Sequence, residues 1–313
     1  MAATVQSIAL ATKFAPILDE VYKRESLTSI LDTPSDLVMF DGAHSAKIFK
    51  TEMDGLGDYS RNNGYVRGAV VGSWEELTLN YERGRQFLVD YLDDEESLSM
   101  AFGTLAGEFI RTKEVPEMDA YTIAKIASTA NIQAATPADF SNISNVLTAV
   151  DTAQAALDAE EVPMEGRVLF VSTKVYYALK DKLTRFIENG DEIINRNFRY
   201  LDDTLVIPVP AARMNTAIEL LDGSSNGEDA GGYSIVPGSG YSYPINFMLV
   251  HPSAVVKVTK HRVPRIFTPD VVQEADAYKF GIRITGGVWV KEDRKSTRLN
   301  SSHNVISRMP SSA

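Results

Sequence analysis

The side chains that most often perform chemistry in proteins are few in this sequence, and their spacing matches no catalytic or metal-binding pattern. His251 and His261 lie outside the His-Glu-x-x-His context of a helical zinc site. The serine at 239 lacks the strand-to-helix setting of a nucleophile elbow, and no predicted helix follows the glycines at 55 and 57, as a dinucleotide-binding turn requires. The chain has no Cys, which excludes disulfides, thiolate metal clusters and a cysteine nucleophile. We therefore expect no enzymatic activity, no metal and no cofactor.

One acidic run permits two interpretations. It consists of Asp93, Asp94, Glu95 and Glu96. Neighbouring carboxylates can act in acid–base catalysis or bind a divalent cation. Acidic side chains at the first turn of a helix also cap it and stabilise it through the helix dipole. We favour capping and a solvated face, because a predicted helix begins here. The acidic pair at 202–203 is interpreted as a turn by the same reasoning.

The composition is that of a soluble globular protein with a sizeable core. The 313 residues carry a formal net charge of −11, with 44% hydrophobic and 23% charged residues. No apolar run approaches the roughly 18 residues of a membrane span, and the N-terminus lacks the pattern of a secretory signal. An acidic chain without a cluster of Lys and Arg disfavours nucleic-acid recognition through a basic face.

The last 21 residues, 293–313, differ from the rest of the chain. Hydrophobic periodicity stops at Asp293, and two segments, 293–303 and 307–313, resemble the translation of a common DNA-sequencing adapter. We interpret this tail as non-native and expect it to take no part in the fold. It holds four Lys or Arg against one Asp, so the remaining chain is more acidic still.

The N-terminal half is predicted to contain a short helix, a protruding β-hairpin and a long helix. The helix is predicted at 14–24, and the hairpin is predicted from strands at 46–53 and 65–74 around a turn rich in Gly and Asn. Apolar residues then alternate from Leu77 to Tyr91, which predicts a strand with one buried face. Arg83 and Arg85 occupy the same alternate positions as the apolar residues and so face the buried side of the strand. They therefore need acidic partners or must extend to the edge of the sheet, where the charge meets water.

Gly84 suggests a bulge or bend in the strand. Apolar spacing beyond the acidic run predicts an amphipathic helix of about 35 residues, kinked or restarted at Pro116. Helix, strand, helix and strand then follow from 136 to 210, which indicates a mixed α/β unit. A long exposed loop is predicted at 223–240, and strands return at 245–258 and 282–290, with an irregular stretch between them at 261–278.

Several motifs, taken in order, resemble the major capsid proteins of tailed bacteriophages, which have the Hong Kong 97 fold. The resemblance covers residues 46–290. Its motifs are Gly55-Leu56-Gly57-Asp58-Tyr59-Ser60-Arg61 with Gly64-Tyr65, Glu82-Arg83-Gly84-Arg85, Asp94-Glu95-Glu96, Leu105-Ala106-Gly107-Glu108-Phe109, Val115-Pro116-Glu117-Met118-Asp119-Ala120-Tyr121, Arg265-Ile266-Phe267-Thr268-Pro269 and Ala275-Asp276-Ala277-Tyr278.

The resemblance implies an α+β fold with an N-terminal arm (1–45), an E-loop hairpin (46–75) that reaches over a neighbouring subunit, a peripheral domain (76–135 and 244–292) with a long spine helix, and an axial α/β domain (136–243). It also implies a structural protein that assembles into hexamers and pentamers of an icosahedral shell in the host cytoplasm. The expected partners are copies of the chain, a separate scaffolding protein, a portal and enclosed DNA bound without sequence specificity. No membrane partner is expected.

The candidate intersubunit contacts are Asp58, Tyr59, Arg61, Tyr65, Arg83, Arg85, Asp94, Glu95 and Glu96. For Arg83 and Arg85, ordinary pairs within one subunit remain an equal alternative. An encapsulin-type compartment shell of the same fold, and an α/β enzyme with an unrecognised site, remain alternative functions.

Overall fold

The computed structural model describes residues 25–42, 44–62, 64–91, 100–129, 133–134, 143–184, 200–201, 204–225, 227–235, 242–272, 275–291 and 297–301. The helix predicted at 14–24, the acidic run with Asp94, Glu95 and Glu96, the pair at 202–203 and the serine at 239 lie outside these ranges. Within them, no helix combines the length and apolar character that a membrane crossing requires.

The described elements confirm a mixed α+β chain. The strands are β1 (Met39–Asp41), β2 (Ser45–Met53), β3 (Val70–Thr78), β4 (Tyr81–Asp90), β5 (Gln133–Ala134), β6 (Val168–Ser172), β7 (Tyr200–Leu201), β8 (Thr204–Val209), β9 (Glu219–Leu221), β10 (Gly232–Ser234), β11 (Ile245–Val250), β12 (Val255–Phe267), β13 (Ala277–Val290) and β14 (Thr297–Ser301). The α-helices are α1 (Met100–Phe109), α2 (Val115–Ala127), α3 (Ile143–Ala159) and α4 (Thr173–Thr184).

The first sheet is the predicted hairpin with one added strand, in the order β1-β2-β3. β2 and β3 pair from Ser45 with Thr78 at the base to Met53 with Val70 near the tip. The base is buried in the body of the protein, where Ala46 and Leu77 pack against β12. The second strand therefore starts later than predicted and continues past Trp74 to Thr78.

The strand predicted from Leu77 to Tyr91 is divided between two sheets. Leu77 and Leu79 pack in the cluster at the hairpin base, whereas Tyr81 packs in the cluster beneath the long helix. The alternation of apolar residues continues across the break because both sides are buried. β4 then pairs with β13 in the sheet β12-β13-β4.

The bulge expected at Gly84 is not observed. Gly84 pairs in register with Arg283, and a Cβ at this position would lie 2.9 Å from the carbonyl oxygen of Ile282. The glycine is explained by the close approach of β13. The register shift in this sheet lies instead between Thr259 and His261.

The long helix passes through Pro116 without a break. A five-residue π turn, Ile110–Glu114, joins α1 to α2, and the N–H of Val115 donates to the carbonyl of Ile110. Proline has no N–H, and its ring clashes with the carbonyl four residues earlier in an α-helix. The wider turn accommodates Pro116, so the helix neither ends nor restarts there.

The third large sheet has the order β5-β14-β11-β6-β8-β7. α3 and α4 cover one face, with Val150, Leu157 and Leu179 packed against β6 and β11. β11 belongs to this sheet through its pairing with β6. The domain bounds implied by the resemblance, including 244–292 for the peripheral domain, stay a prediction. The chain enters the other sheet at β12. The predicted irregular stretch is also shorter, because β12 continues to Phe267 and β13 starts at Ala277.

Two further segments differ from the sequence prediction. Part of the glycine-rich stretch forms the hairpin of β9 and β10. Within the tail, β14 pairs with β11 from Thr297 to Ser301. An apolar strand such as β11 presents unpaired backbone groups at its edge, and backbone pairing can satisfy them largely independently of sequence. The non-native origin of the tail stays a prediction.

The described part of the segment before β1, from residue 25 onward, is held on the body of the same chain. Asp119 of α2 is fully buried and accepts hydrogen bonds from the Ser26 hydroxyl at 2.8 Å and the Thr28 hydroxyl at 2.7 Å. It also accepts from the backbone N–H groups of Leu27 and Thr28, each at 3.2 Å. Arg213 pairs with the same carboxylate at 3.2 Å. This buried network joins the N-terminal segment, the long helix and the turn after β8.

Candidate intersubunit surfaces

The tip of the hairpin holds four of the predicted contact residues, and all four side chains are exposed. The rings of Tyr59 and Tyr65 lie 4.9 Å apart between centroids. Ser60 and Gly64 exchange backbone hydrogen bonds at the turn between them. Asp58 and Arg61 lie on the same exposed tip. The structure thus brings these residues together without a covering contact from the rest of the described chain.

One face of the hairpin carries a set of exposed apolar side chains, which we name the apolar stripe. Its members are on the face opposite to Ala46 and Leu77, which are buried at the base. Each member is between 53% and 72% exposed. The apolar stripe consists of Met39, Phe49, Met53, Val70 and Trp74.

The pairing of Phe49 with Trp74 shows how the stripe is built. The two residues face each other across β2 and β3, and their rings meet edge to face at a centroid distance of 5.1 Å. Phe49 also lies over Gly72, where a Cβ would come within 2.6 Å of the ring. A large exposed apolar patch on one face is typical of a protein–protein contact.

Arg83 is paired within its own chain. Its Nε lies 2.7 Å from Oε1 of Glu117, which also accepts a hydrogen bond of 3.0 Å from the Tyr81 hydroxyl. Burial and the Glu117 carboxylate raise the pKa of Tyr81 well above its usual value, so the phenol stays neutral and donates. The expectation of an acidic partner is confirmed, and the observed partner is Glu117.

The side chain of Arg85 extends to the edge of the sheet, which is one of the two outcomes expected for an arginine at this position of the strand. Its guanidinium donates to the carbonyl of Asp229 at 3.0 Å and lies 3.5 Å from that of Gly223. A Cβ on Gly223 would lie 2.6 Å from Nη1 of Arg85. Among the described residues, no carboxylate contacts this exposed arginine, so its role at a subunit contact stays a prediction.

Three buried acids of the long helix were not identified from the sequence. Glu114 accepts from Arg262 at 2.7 Å, Glu117 is the acceptor described above, and Asp119 pairs with Arg213 at 3.2 Å. The same stretch also carries Arg111, Lys113 and Lys125, so the sequence carries no clear signal that these acids are buried. Within the described ranges, no three His, Asp or Glu side chains group as a metal site would require.

Comparison by sequence gave no match to a family model or to a curated protein. Comparison of folds gave many matches. The mature capsid of bacteriophage PhiM1 matches with a TM-score of 0.54 at 11% identity, covering 83% of this chain and 82% of that one. A structure from Mycobacterium phage Che8 matches with a TM-score of 0.51 at 16% identity, covering 82% and 84%.

A further match is the virus-like particle from Pyrococcus furiosus. Its TM-score is 0.53 at 14% identity, and the match covers 93% of this chain and 99% of that one. Because these likenesses extend over most of both chains, they concern the whole architecture and not one motif. The chain therefore has the fold of phage capsid proteins, as the resemblance in its sequence predicted.

Proposed function

We propose that the protein is the major capsid protein of a tailed bacteriophage. Copies would assemble through hexamers and pentamers into an icosahedral shell that encloses the DNA genome. The observation that carries this proposal is the fold, which matches phage capsid structures over more than four-fifths of both chains. The role is mechanical and includes no chemical step.

The hairpin supports the proposal because its apolar stripe is left exposed by its own chain. The five side chains offer on the order of 500 Å² to a partner, against about 800 Å² per partner in a standard interface. At roughly 25 cal/mol per Å², burying this surface contributes on the order of 12 kcal/mol before the costs of association. Closed symmetry repeats such a contact in every copy of a shell. We propose that the hairpin is the E-loop and that α1 and α2 form the spine helix.

The remaining partners follow from the same proposal. A separate scaffolding protein, a portal and enclosed DNA are expected, and assembly would take place in the host cytoplasm. The net charge of −11 favours weak contact with packaged DNA.

The likeness to the virus-like particle from Pyrococcus furiosus favours a second candidate, the shell of a cellular compartment. Particles isolated from their natural source distinguish the two functions. Genome-length DNA protected from nuclease supports the phage capsid, whereas an enclosed protein cargo supports the compartment.

Electron microscopy and sedimentation of the expressed protein test assembly directly. We expect capsomers or shells from the unaltered chain. Replacing Met53 and Val70 with Ser removes two members of the apolar stripe and should leave soluble subunits. The matched control is Val71→Ser, because Val71 is comparably exposed but lies on the other face of the hairpin. An unaltered chain that remains monomeric at all concentrations, both alone and with its scaffolding protein, would refute the proposal.

A further inference from the structure

Methionine supplies all the sulfur of this chain, because the sequence holds nine Met and no Cys. The methionines whose exposure the structure describes fall into two groups. Three are packed in the hydrophobic clusters and are at most 4% exposed: Met118, Met214 and Met248. Three are between 57% and 72% exposed: Met39, Met53 and Met164. A dissolved oxidant therefore has access to the thioethers of the second group and not to those of the first.

Two of the exposed methionines lie at opposite ends of the apolar stripe. Met39 pairs with Lys47 across β1 and β2, and Met53 pairs with Val70 near the tip of the hairpin. Lys47 and Met53 are separated along β2 by about 20 Å, at 3.3 Å per residue. The aromatic pair of the stripe lies between them. Any surface that covers the whole stripe must therefore bury both sulfur atoms.

The third exposed methionine provides a contrast. Met164 lies between α3 and β6 and is 67% exposed, so an oxidant reaches it as readily as it reaches Met39. It is outside the hairpin and outside the apolar stripe. Oxidation at Met164 therefore reports the effect of exposure alone, whereas oxidation at Met39 and Met53 also changes the stripe.

Hydroperoxides convert an exposed thioether into a sulfoxide. The sulfur lone pair attacks one oxygen of hydrogen peroxide, the S–O bond forms as the O–O bond breaks, and a proton moves to the departing oxygen, which leaves as water. Sulfur loses two electrons and the peroxide gains them. A flexible apolar side chain is thereby replaced by a polar, chiral one. A sulfoxide oxygen that is buried in a contact without a hydrogen-bond donor opposes association.

We infer that Met39 and Met53 are modification sites, whose oxidation by hydroperoxides prevents burial of the apolar stripe between subunits. This inference rests on the proposed function, because it concerns the surface that we propose is covered in the shell. The thioether form permits assembly and the sulfoxide form blocks it. Methionine sulfoxide reductases, one enzyme for each epimer, reverse the change. In a completed shell both sulfur atoms are covered, so the sensitivity belongs to the free subunit.

Treatment of separated subunits with hydrogen peroxide tests the sites. When peptide mass spectrometry shows full oxidation of Met39 and Met53, the yield of shells should fall about tenfold or more. A double variant, Met39→Leu with Met53→Leu, keeps a similar side-chain volume and has no sulfur in the stripe. Its yield should change by less than about twofold under the same treatment. Met164→Leu is the matched control and should remain as sensitive as the unaltered chain.

Two further measurements separate a blocked contact from general damage. Treatment of the oxidised subunits with the two reductases should restore the yield of shells, and thermal unfolding checks that the oxidised subunits are folded. In shells assembled before treatment, oxidation of Met39 and Met53 should be about tenfold or more slower than in separated subunits, because the contact excludes the peroxide.

The outcomes distinguish this inference from the proposed function. If fully oxidised subunits form shells as well as untreated subunits do, the inference is wrong and the proposed function stands. Equal reaction rates of Met39 and Met53 in shells and in subunits would also overturn it. An equal loss of assembly in the double leucine variant would overturn it too, because the damage would then come from another residue. If the untreated chain never assembles, alone or with its scaffolding protein, both proposals fail.

Discussion

Replacing Asp119 with Ala tests the buried network that holds the N-terminal segment on the body. The change leaves five donor groups without their acceptor: the Ser26 hydroxyl, the Leu27 N–H, the N–H and hydroxyl of Thr28, and the Arg213 guanidinium. A buried donor left unsatisfied costs about 1–3 kcal/mol, and a broken buried ion pair costs about 3–5 kcal/mol.

These costs are not additive, because water can reach groups that are freed together. We therefore expect the free energy of unfolding to fall by about 4 kcal/mol. With a shift of about 2–4 °C per kcal/mol, the melting temperature should fall by roughly 8–16 °C. The conservative variant Asp119→Asn keeps one acceptor oxygen and should lose about half as much.

Calorimetry and urea unfolding of the subunits measure this loss. Asp151→Ala is the matched control, because Asp151 is exposed on α3 and its loss should change stability by less than about 0.5 kcal/mol. A second measurement is limited proteolysis, which should cut the Asp119→Ala variant faster within residues 26–33. A variant that unfolds within about 1 kcal/mol of the unaltered protein would refute the reasoning.

Two glycines of the sheets and one aspartate carry the remaining predictions. Gly84→Ala should destabilise the subunit by about 1–3 kcal/mol in urea unfolding, because the new Cβ meets the backbone carbonyl of Ile282 at 2.9 Å. Gly72→Ala should cost less than about 1 kcal/mol, because its Cβ meets the movable ring of Phe49; equal losses at the two positions would contradict this explanation. Hydrogen bonds from Ser side chains and backbone N–H groups lower the pKa of Asp222. The stabilisation of the loop by the ionised Asp222 carboxylate should therefore be complete above about pH 4 and should decline as the pH falls. NMR of the loop should show this loosening in the unaltered protein, and the control Asp222→Asn should show a smaller change over the same pH range.

The sequence predicts those elements whose apolar residues repeat at regular spacing within a short stretch of chain. α3 and α4 follow the 3.6-residue period, and the hairpin follows from two alternating segments around a turn of Gly and Asn. The break between Leu79 and Tyr81 could not be predicted, because the alternation is the same whichever sheet a residue faces. Membership of β11 in the six-stranded sheet depends on its pairing with β6, which is distant in sequence.

Side-chain partners were harder to predict than elements. The position of Arg83 on the apolar face of the strand indicated that its charge needs an acidic partner. That the acid is Glu117, 34 residues away, follows only from the packing of α2 on β4. The exposure of the apolar stripe was likewise not predictable, because alternation does not tell whether an apolar face meets its own chain or another.

The π turn at Ile110–Glu114 places one more residue in that turn of the helix than an α-helical path would need. Each residue of an α-helix rotates the following side chains by about 100°. If the same residues instead formed an unbroken α-helix, every side chain downstream would be rotated by about that angle. Glu117 and Asp119 would then point away from Arg83 and Arg213. The π turn therefore keeps Glu117 and Asp119, in the second half of the helix, directed at Arg83 of β4 and at Arg213 of the turn after β8.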